Sequence, residues 1–159
     1  MTQIAPKTVQ GTARTRTQTG LAAGTRVMTL DGQIAVEFLQ PGDRIITRQG
    51  VRPLRGIHMV EREGVEAVTI KASALGHDRP EEDITMAADQ PLLLRDWRAQ
   101  ALYGADQAII PAKRLADGEY IAAKTTANLR TFALVFDTPQ VIYAEGCELP
   151  METTVEMVD

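Results

Sequence analysis

The chain has 159 residues, of which 44% are hydrophobic, 24% charged and 4% aromatic, so it can build one domain around an aliphatic core. A formal charge of −4 removes the electrostatic argument for nucleic acid or an anionic membrane surface as partner. A single Cys excludes an internal disulfide framework and an all-Cys metal site. The His residues, His58 and His77, share no short motif with a Cys or a carboxylate pair, so neither a metal nor another cofactor is expected. No apolar run approaches membrane-spanning length and no apolar h-region opens the chain. The expectation is a soluble protein without a classical signal peptide, cytoplasmic or exported by a non-classical route.

In chain order, residues 1–19 hold Lys7, Arg14 and Arg16, no acidic residue and little to bury, which reads as a flexible basic tail. Thr25 to Leu30 reads as a strand ended by an Asp31-Gly32 turn. Val36 to Leu39 is long enough for one helical turn before Pro41-Gly42. Arg44 to Arg48 and Val51 to Val60 are β-prone runs joined by Gln49-Gly50, and Val65 to Ala72 alternates apolar with polar residues. Gly76 to Asp83 is a polar loop, and Ile84 to Met86 with Pro91 to Leu94 gives a strand pair around a polar interruption. Ala105 to Leu115 reads as a strand and a short helical turn, and Tyr120 to Ala123 as a strand after the Asp117-Gly118 turn. Thr131 to Phe136 and Val141 to Ala144 flank Asp137-Thr138-Pro139-Gln140 as a hairpin. Glu145, Glu148, Glu152, Glu156 and Asp159 give an acidic end, with residues 148–159 taken as a tail. Many short strands with Gly and Pro turns predict an all-β, closed or coiled architecture, with at most one or two short helical turns.

Against this background three segments carry a resemblance. Gly20 to Thr47 runs Gly-Thr, strand, Asp-Gly turn, Val-Glu-x-Leu, Pro-Gly-Asp and strand. Trp97-Arg98-Ala99, Leu102-Tyr103-Gly104 and Pro111-Ala112-Lys113-Arg114-Leu115 follow in order, and Phe132 to Gly146 closes the series. Together these resemble the Hint fold of Hedgehog autoprocessing domains and inteins, specifically a bacterial Hint subfamily. The resemblance implies a compact β-rich horseshoe of pseudo-symmetric halves over residues 20–147.

It also implies a reaction. In the family a Cys thiol attacks the preceding carbonyl, and a Thr-x-x-His motif holds the amide and delivers a proton to the leaving amine. Here Gly20 stands at the Cys position, Ala87 at the Thr position and Gln90 at the His position. Ala133 and Pro139 occupy places where the subfamily often has His in its closing hairpin. A Gln side chain hydrogen-bonds but does not take up and return a proton near neutral pH. The pattern implies a degenerate, non-catalytic domain kept as a binding or structural module, with a protein or peptide in the former active-site groove. One alternative is autoprocessing before Gly20 by a variant route, with water directed by Asp89 and Gln90. A second is an unrelated small β-barrel binding module or enzyme, with a site near Trp97 and Tyr103. Cys147 reads as an inert thiol, Asp31 and Asp43 as turn residues, Thr85 as strand packing, and Arg44, Arg48, Arg52 and Arg55 as a solvated face.

Overall fold

The computed structural model describes residues 18–152. Most of the tail expected over 1–19, and the stretch from 153 onward, lie outside the described residues. Within them the protein is all-β, with one short helix and two single 3-10 turns.

Two long strands form the frame. Strand β6 (Gly56–Ile70) and strand β10 (Ile121–Val135) pair antiparallel from Ile121 opposite Ile70 to Val135 opposite Gly56. Sequence periodicity divides each of them, because Gly64 and the polar stretch from Lys124 to Asn128 interrupt the apolar pattern. The register nevertheless carries past both interruptions, with Thr126 opposite Val65 and Asn128 opposite Glu63 on either side of Gly64, whose φ is 64°. Asp117 sets the start of β10: its Oδ1 accepts from the backbone N–H of Glu119, Tyr120 and Ile121 at 2.8, 2.9 and 2.9 Å. Those donors, Ile121 first, hold the Asp117 carboxyl below its ordinary pKa.

A short strand, β1 (Leu21–Ala22), closes a ring with this frame. It pairs with β10 at Thr131 and Phe132 and with β7 (Ile84–Ala87) at Met86, and β7 in turn pairs with β6. Strands β2 (Arg26–Thr29), β3 (Gly32–Ala35), β4 (Arg44–Thr47) and β5 (Gly50–Pro53) belong to a second sheet. Strands β11 (Gln140–Ala144) and β12 (Cys147–Met151) complete it. In each half of the chain a strand runs straight into a 3-10 turn: β3 into Val36–Phe38, and β9 (Ala108–Pro111) into Ala112–Leu115. A single large cluster fills the space between the sheets, with Leu21, Ile45, Ile70, Met86, Ile110, Leu134 and Ile142 essentially inaccessible.

Several expected pairings are reassigned. Ile84–Ala87 and the following β8 (Pro91–Leu94) do not pair with each other: β7 joins the ring and β8 pairs with β9. The segment Asp137 to Gln140 is not a hairpin turn, because β11 leaves β10 and pairs with β12. The hairpin that does form turns at Glu145-Gly146, both with positive φ, 50° and 84°. Glu145 and Glu148 consequently belong to the fold. Glu145 is 5% exposed and grips Arg26 with both oxygens, at 3.0 Å to Nε and 2.7 Å to a terminal nitrogen. That pairing raises the Arg26 pKa above its ordinary value, through the hydrogen bond first and the charge of Glu145 second. Glu148 lies in β12 between Arg95 at 2.9 Å and Arg48 at 3.6 Å. The domain limit expected at 147 therefore falls on the first residue of a strand whose Leu149, Pro150 and Met151 are all buried. The helix, α1 (Trp97–Tyr103), is opened by Asp96, whose carboxylate accepts from the Arg98 N–H at 2.9 Å.

Gly146 makes the hairpin possible. At φ 84° a Cβ there would stand 3.0 Å from the Asp78 carbonyl oxygen. Gly146→Ala is therefore expected to destabilise the domain by about 2 kcal/mol, read as a lower urea midpoint with an unchanged m-value.

Candidate functional site

The ring closure brings four residues expected to mark the site into one place. Gly20 precedes β1, Ala87 ends β7, and Asp89 and Gln90 lie in the short connection to β8. The connection is tight because Gln90 N–H donates to the Ala87 carbonyl at 3.1 Å. It is held from below by the 3-10 turn after β9, where Ala112 N–H donates to the Gln90 carbonyl and Lys113 N–H to the Ala88 carbonyl, each at 2.9 Å.

Gln90 is 1% exposed and uses its whole side chain. Its Oε1 accepts from the Gly20 N–H at 2.8 Å. Its Nε2 donates to the carbonyls of Pro91 and Pro150 at 3.0 and 3.1 Å. Asp89 fixes the chain two residues upstream. Its Oδ2 accepts from the Gln18 N–H at 2.8 Å and its own N–H donates to the Gln18 carbonyl at 2.9 Å. Lys113 holds the other carboxylate oxygen at 2.9 Å, and this contact raises the Lys113 pKa above its ordinary value. Ala87 N–H donates to the Gly20 carbonyl at 3.0 Å. The Thr19–Gly20 amide is thus bracketed by bonds on both sides.

Beside that amide lies a cleft of about 270 Å³ lined by Thr19, Gln90, Pro91, Ala133, Pro150, Met151 and Glu152. Ala133 lines this cleft, whereas Pro139 is an exposed residue beside a different depression with Arg48 and Gln49. Neither His lines the cleft: His58 faces Ala133 across the β6–β10 ladder, and His77 lies in the exposed loop before β7. Thr85 shares a 2.8 Å hydrogen bond with Thr69. Asp43 accepts from the Gln40 N–H at 2.8 Å, as a turn residue does. Trp97 is 68% exposed, with Arg98 over its ring at 4.7 Å. Tyr103 is 44% exposed and hydrogen-bonds Arg114. Among the described residues no group of three or more His, Cys, Asp and Glu gathers to hold a metal ion, and no helix is long and apolar enough to cross a membrane.

Sequence reasoning missed Lys113, Thr131, Pro150 and Glu152 as parts of the site. No local pattern marks them, because their partners are distant in the chain: Pro150 lies 60 positions from Gln90, whose Nε2 donates to it.

The chemical capacity of this arrangement follows from its donors and acceptors. The nitrogen of the Thr19–Gly20 amide donates to the Gln90 side-chain oxygen, which has no proton to give. Cys147, the sole thiol, lines another cavity with Leu92, Arg95 and Glu148, and burial pushes its pKa up to about 12.

Removing Gln90 would take this partner from the buried Gly20 N–H and Pro150 carbonyl and from the part-buried Pro91 carbonyl. Gln90→Ala is expected to cost about 3 kcal/mol, measured by urea unfolding, and to speed hydrogen exchange at the Gly20 amide. Cys147 should resist a thiol reagent at pH 8 in the native state and react once unfolded. Its folded pKa lies above the ordinary 9.0, so the native state holds the proton more tightly. The stability it contributes is full below about pH 9 and is lost as pH rises toward 12, which a pH series of thermal melts will show.

Comparison with solved structures finds the same fold repeatedly. A bacterial intein-like domain from Clostridium thermocellum superposes with a TM-score of 0.55 at 16% identity, covering 84% of this chain and 98% of its own. The TvoVMA intein gives 0.60 at 10% identity, over 84% and 98% of the two chains. The MchDnaB-1 intein gives 0.53 at 14% identity, over 84% and 99%. At these identities the likeness is one of fold. No match was found among curated protein sequences. The family model described as Hint domain matches residues 19–157. With this match over most of its length, the chain belongs to the Hint domain family.

Proposed function

We propose that the domain is a non-catalytic Hint module that keeps its upstream junction intact and serves as a binding or structural element. The observation that supports this reading is the bonding of Gln90. Its oxygen faces the Gly20 N–H and its nitrogen is committed to two backbone carbonyls. Breaking the Thr19–Gly20 bond requires a nucleophile at the Thr19 carbonyl and a proton for the departing nitrogen. Gly20 offers no side chain, and a carboxamide oxygen accepts a proton bond without supplying a proton. General acid–base catalysis alone is worth roughly 10²- to 10⁴-fold, so an amide left without it persists. A protein or peptide in the cleft beside Gln90, Pro150 and Glu152 fits the module role. Family membership leaves the unrelated β-barrel alternative without support.

One observation favours a second reading, slow autoprocessing before Gly20. The Thr19–Gly20 amide is immobilised beside an open cleft, and Asp89 is anchored within the same turn. Water entering there would add to the Thr19 carbonyl, and the Gly20 nitrogen would leave with a proton from that water.

Intact mass of the full chain separates the two. Prolonged incubation at neutral pH, with and without hydroxylamine or thiol, is expected to leave a single unchanged mass. A fragment beginning at Gly20 would overturn the non-catalytic reading in favour of the second.

A further inference from the structure

The wall opposite Gln90 is as restrictive as Gln90 itself. Gly20 has φ +117°, a value that residues bearing a side chain rarely adopt. A Cβ at that position would stand 2.9 Å from Thr131 Cβ, 3.0 Å from Thr131 Oγ1 and 3.2 Å from the Phe132 nitrogen. Carbon atoms do not approach so closely without something moving, and here neither side is free to move. Thr131 is 5% exposed and sits in β10 between two partner strands, opposite Ala22 of β1 and Val60 of β6. Its Cβ is attached directly to that ladder, so a rotamer change does not withdraw it. On the other side, Gly20 is tied through its N–H to Gln90 and through its carbonyl to Ala87 N–H.

We infer that Thr131 seals the nucleophile position: β10 stands so close to residue 20 that no side chain, and therefore no thiol or hydroxyl, fits there. This rests on the non-catalytic reading and adds a physical lock to it. In an acyl shift the sulfur of a residue 20 thiol would bond to the Thr19 carbonyl carbon. The bond from that carbon to the residue 20 nitrogen would break, and that nitrogen would gain the proton the thiol gives up. Supplying the thiol alone does not reach this geometry, because its first carbon already collides with the strand. Positions 20 and 131 thus act as a pair, in which Thr131 requires glycine at 20.

A double-mutant cycle on the full chain tests the pair through thermal melts of the parent, Gly20→Ala, Thr131→Gly and the combination. Gly20→Ala alone is expected to lower Tm by roughly 5 °C or more. Made in the Thr131→Gly background, the same change should cost less than half of that. The strain from positive φ is common to both backgrounds, so the difference reports the contact itself. Additive shifts would overturn the seal. Should Gly20→Ala give no folded protein, a cooperative melt recovered in the combined variant supports the seal, and failure to recover overturns it. Rapid hydroxylamine-dependent cleavage by a Gly20→Cys, Gln90→His variant with Thr131 in place would also overturn it. Cleavage of the parent chain would instead sink the non-catalytic reading, whatever the cycle reports.

Discussion

The side-chain amide of Gln90 is the knot of the domain. It joins the residue before the first strand, the start of β8 and the last strand at one buried point. Without it the buried Gly20 N–H and Pro150 carbonyl would lose this partner at a cost of about 1–3 kcal/mol apiece, while the Pro91 carbonyl is only part-buried. A primary carboxamide suits the task because it carries an acceptor and two donors on one rigid plane. It is also neutral throughout the physiological range, so the knot holds without reference to pH. An imidazole offers only two ring nitrogens and changes charge near neutrality. A residue that serves proton transfer and one that serves permanent bracing are therefore different solutions to filling the same place.

Around that knot the architecture explains why the N-terminal junction is fixed. Strand β1 is only Leu21–Ala22, yet Leu21 is fully buried and contacts both β10 and β7. Such a short strand has little affinity of its own. It is held because the bonds of Asp89 and Gln90 deliver Gln18 and Gly20 to the correct register. The ring formed by β1, β7, β6 and β10 leaves no open edge at this point. The cleft is thus a gap between a closed ring and the end of β12.

Much of this was legible in the sequence, for identifiable reasons. The Asp31-Gly32 turn, the 3-10 turn at Val36–Phe38 and the strand followed by a turn at Ala108–Leu115 are local, and turn chemistry with alternation finds them. Gly20, Ala87, Asp89 and Gln90 were legible through family order alone, and the fold gathers them. What stayed hidden is non-local. Nothing near Asp137 says that β11 will abandon β10, because Thr138 and Pro139 are ordinary turn residues; the choice is made by β12, beyond them in the chain. Glu145 reads as one more acid of the acidic end, since its partner Arg26 lies 119 residues away. Helix α1 carries a local signal in Asp96 as its cap, but Trp97 and Tyr103 are exposed, so it lacks the apolar stripe that marks longer helices. Thr131 looks like any strand threonine until β1 is laid beside it.

The substitutions at the junction are coherent as a set under the non-catalytic reading. With glycine at 20, the wall of the ring can close to a separation that a Cβ forbids, and Thr131 fills that space. With the wall closed, residue 20 is confined to a backbone geometry that glycine alone adopts readily. With no nucleophile to serve, a proton donor at 90 has no task, and a carboxamide that satisfies one backbone donor and two backbone acceptors becomes the better occupant. Ala87 completes the pattern: its side chain is apolar, and its backbone N–H still holds the Gly20 carbonyl. Each change lowers the obstacle to the others, because all of them exchange a group that reacts for one that packs or braces. On that reading reversal is harder than loss for the same physical reason. A single substitution toward the family residue meets a strand, an occupied hydrogen-bond site or a missing partner, so the acyl shift would require several positions to move together.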